Sequence, residues 1–248
     1  MQIQRGIKKN SSLAKFVLGA HPIIEHFLER MRVRETLSSY LPSDKRRKLD
    51  DDKIITLLVH NILTTPHALY EMEDWLRLLD PEKVGLLPSE VRFIQDDRIG
   101  KGLVTFYRAR HQEAFFRLAL RIIKLFQLDC SRIHHDTTSV TFAGKYPGWS
   151  VQELLTHGKN KDHRPDLKQL VLGLSVTGDG AVPITHRIYS GNQTDDRLHG
   201  ANHKALQKLL QRADFIYVAD SKLATAENLQ KISAWQGRFI SVMPRTWK

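Results

Sequence analysis

The sequence predicts an α/β protein in two parts: an all-helical domain over residues 1–128, then a mixed sheet with helices packed on it over 129–248. Three observations carry this. Apolar residues recur at helical spacing in the first half, short β-branched runs begin near residue 132, and helices and strands then alternate.

In the first half, "HPIIEHFLERMRVRETLSSYL" (21–41) sets Ile24, Phe27, Leu28 and Met31 on one helical face. "DDKIITLLVHNIL" (51–63) opens with two acids, which suit the positive end of a helix dipole. Pro66 resets the chain, and "HALYEMEDWLRLL" resumes the helical period. "DPEKVGLLPSE" reads as a surface connection. Two more helices follow over 95–128, broken around Arg110 and His111.

The period then changes. "RIHHDTTSVTF" is β-branched and short; "KQLVLGLSV" and "AVPITHRIYS" flank "TGDG" and read as a hairpin. The helical "TDDRLHGANHKALQKLLQRA" offers Leu198, Leu206, Leu209 and Leu210 for burial, and strand "FIYVAD", helix "ATAENLQKISAW" and strand "RFISVMP" complete the series. Three antiparallel strands followed by helical crossovers to parallel ones is the ribonuclease-H-like order. In that order the first strand lies beside the fourth, so Asp136 and Asp220 are expected to meet although 84 residues separate them.

Composition narrows the partners. There are 38 lysines and arginines against 27 aspartates and glutamates, a net charge of +11, split as +5 up to residue 129 and +6 after it. An excess spread over both halves favours a polyanion such as nucleic acid. The longest apolar runs fall short of a membrane span, and the basic start has no convincing export signal. A single cysteine, Cys130, excludes an internal disulfide framework and a cysteine zinc finger, and fits a reducing cytoplasm.

Asp136 and Asp220 each interrupt a strand-like run. Two acids brought together at strand ends make an oxygen site for Mg²⁺ or Mn²⁺, which also bind phosphate oxygens. The plainer alternative is that Asp136 holds a turn and Asp220 caps the next helix. His134 and His135 are strand neighbours that point to opposite faces, so they cannot share one ion. "HGKNKDHRPDLKQ" concentrates Lys159, Lys161, Arg164 and Lys168, either a phosphate-contacting patch or a solvated loop. "SGNQTDD" is turn chemistry, with Thr194 or Asp195 capping the next helix, or a substrate contact.

Taken together, "HHDTTSVTF", "HGKNKDHRPDLKQLVLGLSV", "YSGNQTDDR" and "YVADSKLATAENLQK" resemble the DDE transposases of bacterial insertion sequences. The likeness is to the IS-four superfamily, in its long-transposase branch with a helical N-terminal domain. It covers residues 130–248, and the helical part more loosely. It implies a ribonuclease-H-like domain in which two Asp and one Glu bind Mg²⁺, with Asp136 as the first acid and Asp220 as the second. It also implies a helical domain that binds element ends, double-stranded DNA partners (terminal inverted repeats and target), and a homodimer on DNA. The family's third acid lies in a later helix, after a β-rich insertion, within a Tyr-Arg-Glu-Lys-like signature. Neither occurs up to Lys248, and Glu227, seven residues after Asp220, stands in the wrong place for it. The expected catalytic domain is therefore an incomplete one, and a non-catalytic DNA-binding module is the alternative expectation.

Overall fold

The structure, a computed structural model, describes residues 15–44, 46–144, 154–158 and 164–244. Contacts divide the chain into two units, Met1–Ala114 and Phe115–Lys248.

The first unit is helical: α1 (His21–Arg30), α2 (Val33–Ser38), α3 (Asp51–Leu63), α4 (Met72–Arg77), α5 (Asp96–Arg108) and the start of α6 (His111–Phe126). The single helix predicted over 21–41 is two, because Arg32 takes a left-handed φ of 52°. The break has a physical reason. Nine residues are about two and a half helical turns, so on a straight helix Glu25 and Arg34 would face opposite ways. With the break, Arg34 reaches Glu25 at 2.8 Å, donates from Nε to Thr56 Oγ1 at 3.1 Å and from Nη2 to the Val84 carbonyl at 3.2 Å. Burial pushes the Glu25 carboxyl up, but the His60 hydrogen bond and Arg34 outweigh it and hold it below the usual range.

The connection over 80–90 is less superficial than expected. Two 3₁₀ turns, Pro81–Val84 and Pro88–Phe93, fold it inward, so that Val84 and Leu86 join Leu57, Leu76 and Ile99 in the core. Glu90, also buried, receives Lys53 Nζ at 2.7 Å. Between the turns Gly85 has φ +71°, and a Cβ there would lie 1.8 Å from Arg34 Nη2. That guanidinium is tied on three sides and cannot swing away freely. Gly85→Ala is expected to cost about 2–3 kcal/mol of stability, through backbone strain and displacement of Arg34. A urea titration of the two proteins measures it.

The second unit holds a six-stranded sheet of β1 (Arg132–Phe142), β2 (Thr156–His157), β3 (Lys168–Thr177), β4 (Pro183–Ser190), β5 (Ile216–Val218) and β6 (Arg238–Ile240). β3 runs antiparallel between β1 and β4, while β1, β5 and β6 are parallel neighbours. This is the predicted ribonuclease-H-like mixed sheet. The short β2, which pairs with the start of β3, was not anticipated. Helices α7 (His199–Leu210) and α8 (Ala226–Ala234) make the crossovers and contribute Leu206, Leu209 and Ile232 to a core with Ile133, Phe215 and Tyr217.

That core contains an imidazole. His203 is fully buried, tilted over Phe215 with ring centroids 5.1 Å apart and stacked with Trp235 at 6.2 Å. Gly237 has no room for a side chain, since a Cβ would meet the His203 ring at 2.5 Å. Burial, with Lys204 nearby, lowers the His203 pKa to about 4. The unfolded chain therefore binds a proton between pH 6.5 and about 4 that the folded one refuses. The contribution is fully present above the unfolded pKa and is lost as pH falls through that window, by up to roughly 3 kcal/mol. Denaturation midpoints at pH 7.5 and 4.5 should differ less in His203→Leu than in the wild type.

Candidate metal centre and nucleic-acid face

β1 alternates cleanly. Ile133, His135 and Thr137 are buried, while Arg132, His134, Asp136 and Thr138 are exposed. Asp136 therefore stands on the open face, opposite Leu174 of β3. On the other side, the parallel ladder pairs Ile133 with Tyr217 and His134 with Val218. Asp220, which is also exposed, lies two residues past the end of β5, and the same register extended that far would set it level with Asp136.

Neither acid does the plainer job. β1 continues six residues beyond Asp136 to Phe142, so Asp136 holds no turn; its Oδ1 accepts from the Thr137 amide at 2.8 Å. The N-cap of α8 is Thr225, whose hydroxyl accepts from Asn228 N at 3.2 Å. Asp220 is five residues earlier, where its Oδ1 accepts from Lys222 N at 3.0 Å and its carbonyl accepts from Ser241 Oγ at 2.6 Å. One oxygen of each acid is thus held by a local amide, which orients the carboxyl. Among the described residues neither acid has an ion pair. Paired hard oxygens on an open face suit Mg²⁺ or Mn²⁺. Among the described residues no group of three or more His, Cys, Asp or Glu comes together as a complete cage. Glu227 is engaged elsewhere, in the first turn of α8 with Lys231 at 2.5 Å.

His134 and His135 lie on opposite faces, His134 with Asp136 and His135 inside, 3.0 Å from Ser175 Oγ. Of the basic loop, Lys159 and Lys161 lie outside the described residues, as do Asn160 and His163. Arg164 is not a bare cation: it grips Asp166 through two hydrogen bonds of 2.8 and 2.7 Å. Lys168 is half-buried at the start of β3, opposite Phe142 and His157. It is six residues beyond Asp136's ladder partner, about 20 Å along the sheet.

The basic loop and "SGNQTDD" meet through backbone. Gln169, almost wholly buried, donates from Nε2 to the Gly191 carbonyl at 2.7 Å, and Gly191 N donates to Leu154 O at 2.9 Å. A Cβ on Gly158 would stand 2.0 Å from Gly191 O, and one on Gly191 would stand 2.1 Å from Gln169 O. Thr156 and Ser190 hydroxyls close the junction at 3.1 Å. Thr194 directly precedes a 3₁₀ turn over Asp195–Arg197, and α7 begins after it with Leu198 at its N-cap.

Three inward polar residues were passed over in the sequence, and each had a signal. Gln169 and Ser175 share the parity of Val171 in an apolar strand. Asn202 shares a helical face with Leu198, Leu206 and Leu209 at i, i+4, i+8 and i+11 from Leu198.

No family model and no curated protein matches the chain. Solved structures with a related chain path include a piggyBac transposase synaptic complex with hairpin DNA, at 12% identity and a TM-score of 0.47, covering 89% of this chain and 51% of that one. The Mos1 transposase paired-end complex with the left transposon end has 9% identity and a TM-score of 0.30, covering 80% and 60%. A Mos1 strand transfer complex has 10% identity and a TM-score of 0.32, covering 83% and 61%. The chain thus spans between 51% and 61% of the length of these three.

The glycine junction is directly testable. Gly191→Ala should cost about 2 kcal/mol or more, because the atoms in its way are backbone and cannot yield. Gly100→Ala, inside α5 with open space around its Cβ, should instead be neutral or stabilise by up to about 1 kcal/mol. Thermal melting of the two variants separates them.

Proposed function

We propose that this chain is an insertion-sequence transposase, or the N-terminal part of one, that binds the DNA ends of its element. The observation that supports the reading is the β1–β5 register, which, extended two residues past Val218, would bring Asp220 level with Asp136. Their D-T-T-S and A-D-S contexts, in a ribonuclease-H-like strand order, support the same assignment. The net charge of +11 supports a polyanionic partner.

Asp136 and Asp220 would hold Mg²⁺ or Mn²⁺ through the oxygens not taken by the Thr137 and Lys222 amides. An ion bound there supplies Lewis-acid chemistry at a phosphodiester, activating water and stabilising the leaving oxygen. The protein's own part is to fix the acids on rigid strands and to hold the phosphate backbone. Lys168, with Lys159 and Lys161, would touch phosphates beyond the acids; Arg164 would contribute through the face of its Asp166 pair. The helical part would bind element ends, and two copies would pair on DNA in the intact enzyme. A second reading, a DNA-binding fragment that regulates an intact transposase, is favoured by one observation: no third acid joins the pair among the described residues.

The purified chain should bind duplexes taken from the flanks of its coding segment, with log affinity falling linearly as log salt rises. Replacing Lys159, Lys161 and Lys168 by Ala should flatten that slope by about one for each phosphate left unneutralised. No binding at low salt would sink the reading. In Mg²⁺ or Mn²⁺ the chain should leave these duplexes uncut. Specific nicks that vanish in Asp136→Ala and Asp220→Ala would overturn the second reading in favour of a complete enzyme.

A further inference from the structure

The inner face of the sheet carries a polar chain where an apolar core would be expected. His135, Ser175, His199, Asn202 and Tyr217 are each at most 5% exposed. Burying such groups is costly unless they are hydrogen-bonded to one another. Here they are. Tyr217 Oη accepts from Asn202 Nδ2 at 3.1 Å and lies 3.1 Å from His199 Nδ1. The same Asn202 amide nitrogen donates its other hydrogen to Ser175 Oγ at 3.0 Å, and Ser175 Oγ shares a hydrogen bond with His135 Nδ1 at 3.0 Å. The rings reinforce the path: His135 stacks on Tyr217 at 5.9 Å and meets His199 edge-on at 5.7 Å.

The path has a direction. His135 immediately precedes Asp136 on β1, and Tyr217 is in β5, three residues before Asp220, which follows the end of that strand. Strand alternation converts a fixed inward side chain into a fixed outward one, so holding His135 also aims Asp136. The His135 ring is further confined by Gly173, where a Cβ would approach it to 3.2 Å. β1, through Ser175, and β5, which leads into Asp220, are therefore both tied by hydrogen bonds to one helix, α7, through Asn202. An all-apolar interior would pack the strands equally well. It would not fix their shift along one another, because dispersion has no direction and hydrogen bonds do.

We propose that Tyr217, Asn202 and Ser175 are positioning residues that set the spacing of the Asp136 and Asp220 carboxylates from beneath the sheet. This rests on the reading of those two acids as ligands of a divalent cation. Burial raises the Tyr217 phenol pKa, so its hydroxyl stays protonated and can donate to His199 while accepting from Asn202.

The test is Mn²⁺ binding by the full chain, followed by loss of the free-ion electron paramagnetic resonance signal. Tyr217→Phe keeps the ring and removes only the shared oxygen. It should weaken Mn²⁺ binding about tenfold, the lower end of what removal of ligand-supporting groups causes. Leu206→Ala, in the same core but outside the path, should lower the melting temperature at least as much and leave the affinity within about twofold. Should Tyr217→Phe fail to fold, Ser175→Ala cuts the same path between β1 and α7 and decides in the same way. Wild-type affinity in these variants, with binding lost in Asp136→Asn, would overturn the positioning role alone. Unchanged binding in both Asp136→Asn and Asp220→Asn would overturn the metal site and, with it, this proposal.

Discussion

Three residue pairs of parallel ladder, Arg132–His134 against Ile216–Val218, carry the architecture of the second unit. Without them β1 and β5 would be separate hairpin and crossover elements, and nothing would draw the chain leading into Asp220 to the strand that carries Asp136. So short a ladder cannot hold through backbone hydrogen bonds alone. It is secured from below by Ile133, Phe215 and Tyr217, all fully buried, and by α7 and α8 packed over them. The open face is free to carry charge because the closed face supplies the stability.

The two units solve the burial of polar groups differently. The helical unit buries full charges and pairs them: Glu25 with Arg34, Glu90 with Lys53, and Asp51 with both Arg47 and Arg98. Such pairs add little net stability but are costly to break singly, so they fix which helices meet. Among the described residues of the sheet unit the buried polar side chains are histidines, amides and hydroxyls, and the imidazole of His203 stays uncharged there.

Much of this was legible in the sequence because period and burial agree. The β1 alternation can be read from "RIHHDTTSV", and the leucines of α7 from their spacing. The pairing of β1 with β5 followed from the order of elements, not from any local pattern. What escaped was set by long-range partners. The break at Arg32 exists so that Arg34 can reach Glu25, Thr56 and Val84, none of which is a sequence neighbour. The inward turn of the 80–90 segment depends on the same arginine. Asp220 looked like a helix cap because it precedes a helical run, but Thr225 is closer and takes the role. Gly158 is required by the Gly191 carbonyl, and Gly191 by the backbone of Gln169 and Thr156, contacts that no local pattern announces.

The β1–β5 pairing also sets an order of events. Arg132 and Ile216 are 84 residues apart, so their ladder closes a loop that local contacts cannot pre-form. Closing it costs chain entropy that three residue pairs recover only once α7 has docked. The β1–β3–β4 meander, contiguous along the chain, can assemble first and would present Asp136 alone. Any site that draws on both Asp136 and Asp220 is consequently a late product of folding, since it has to wait for this ladder.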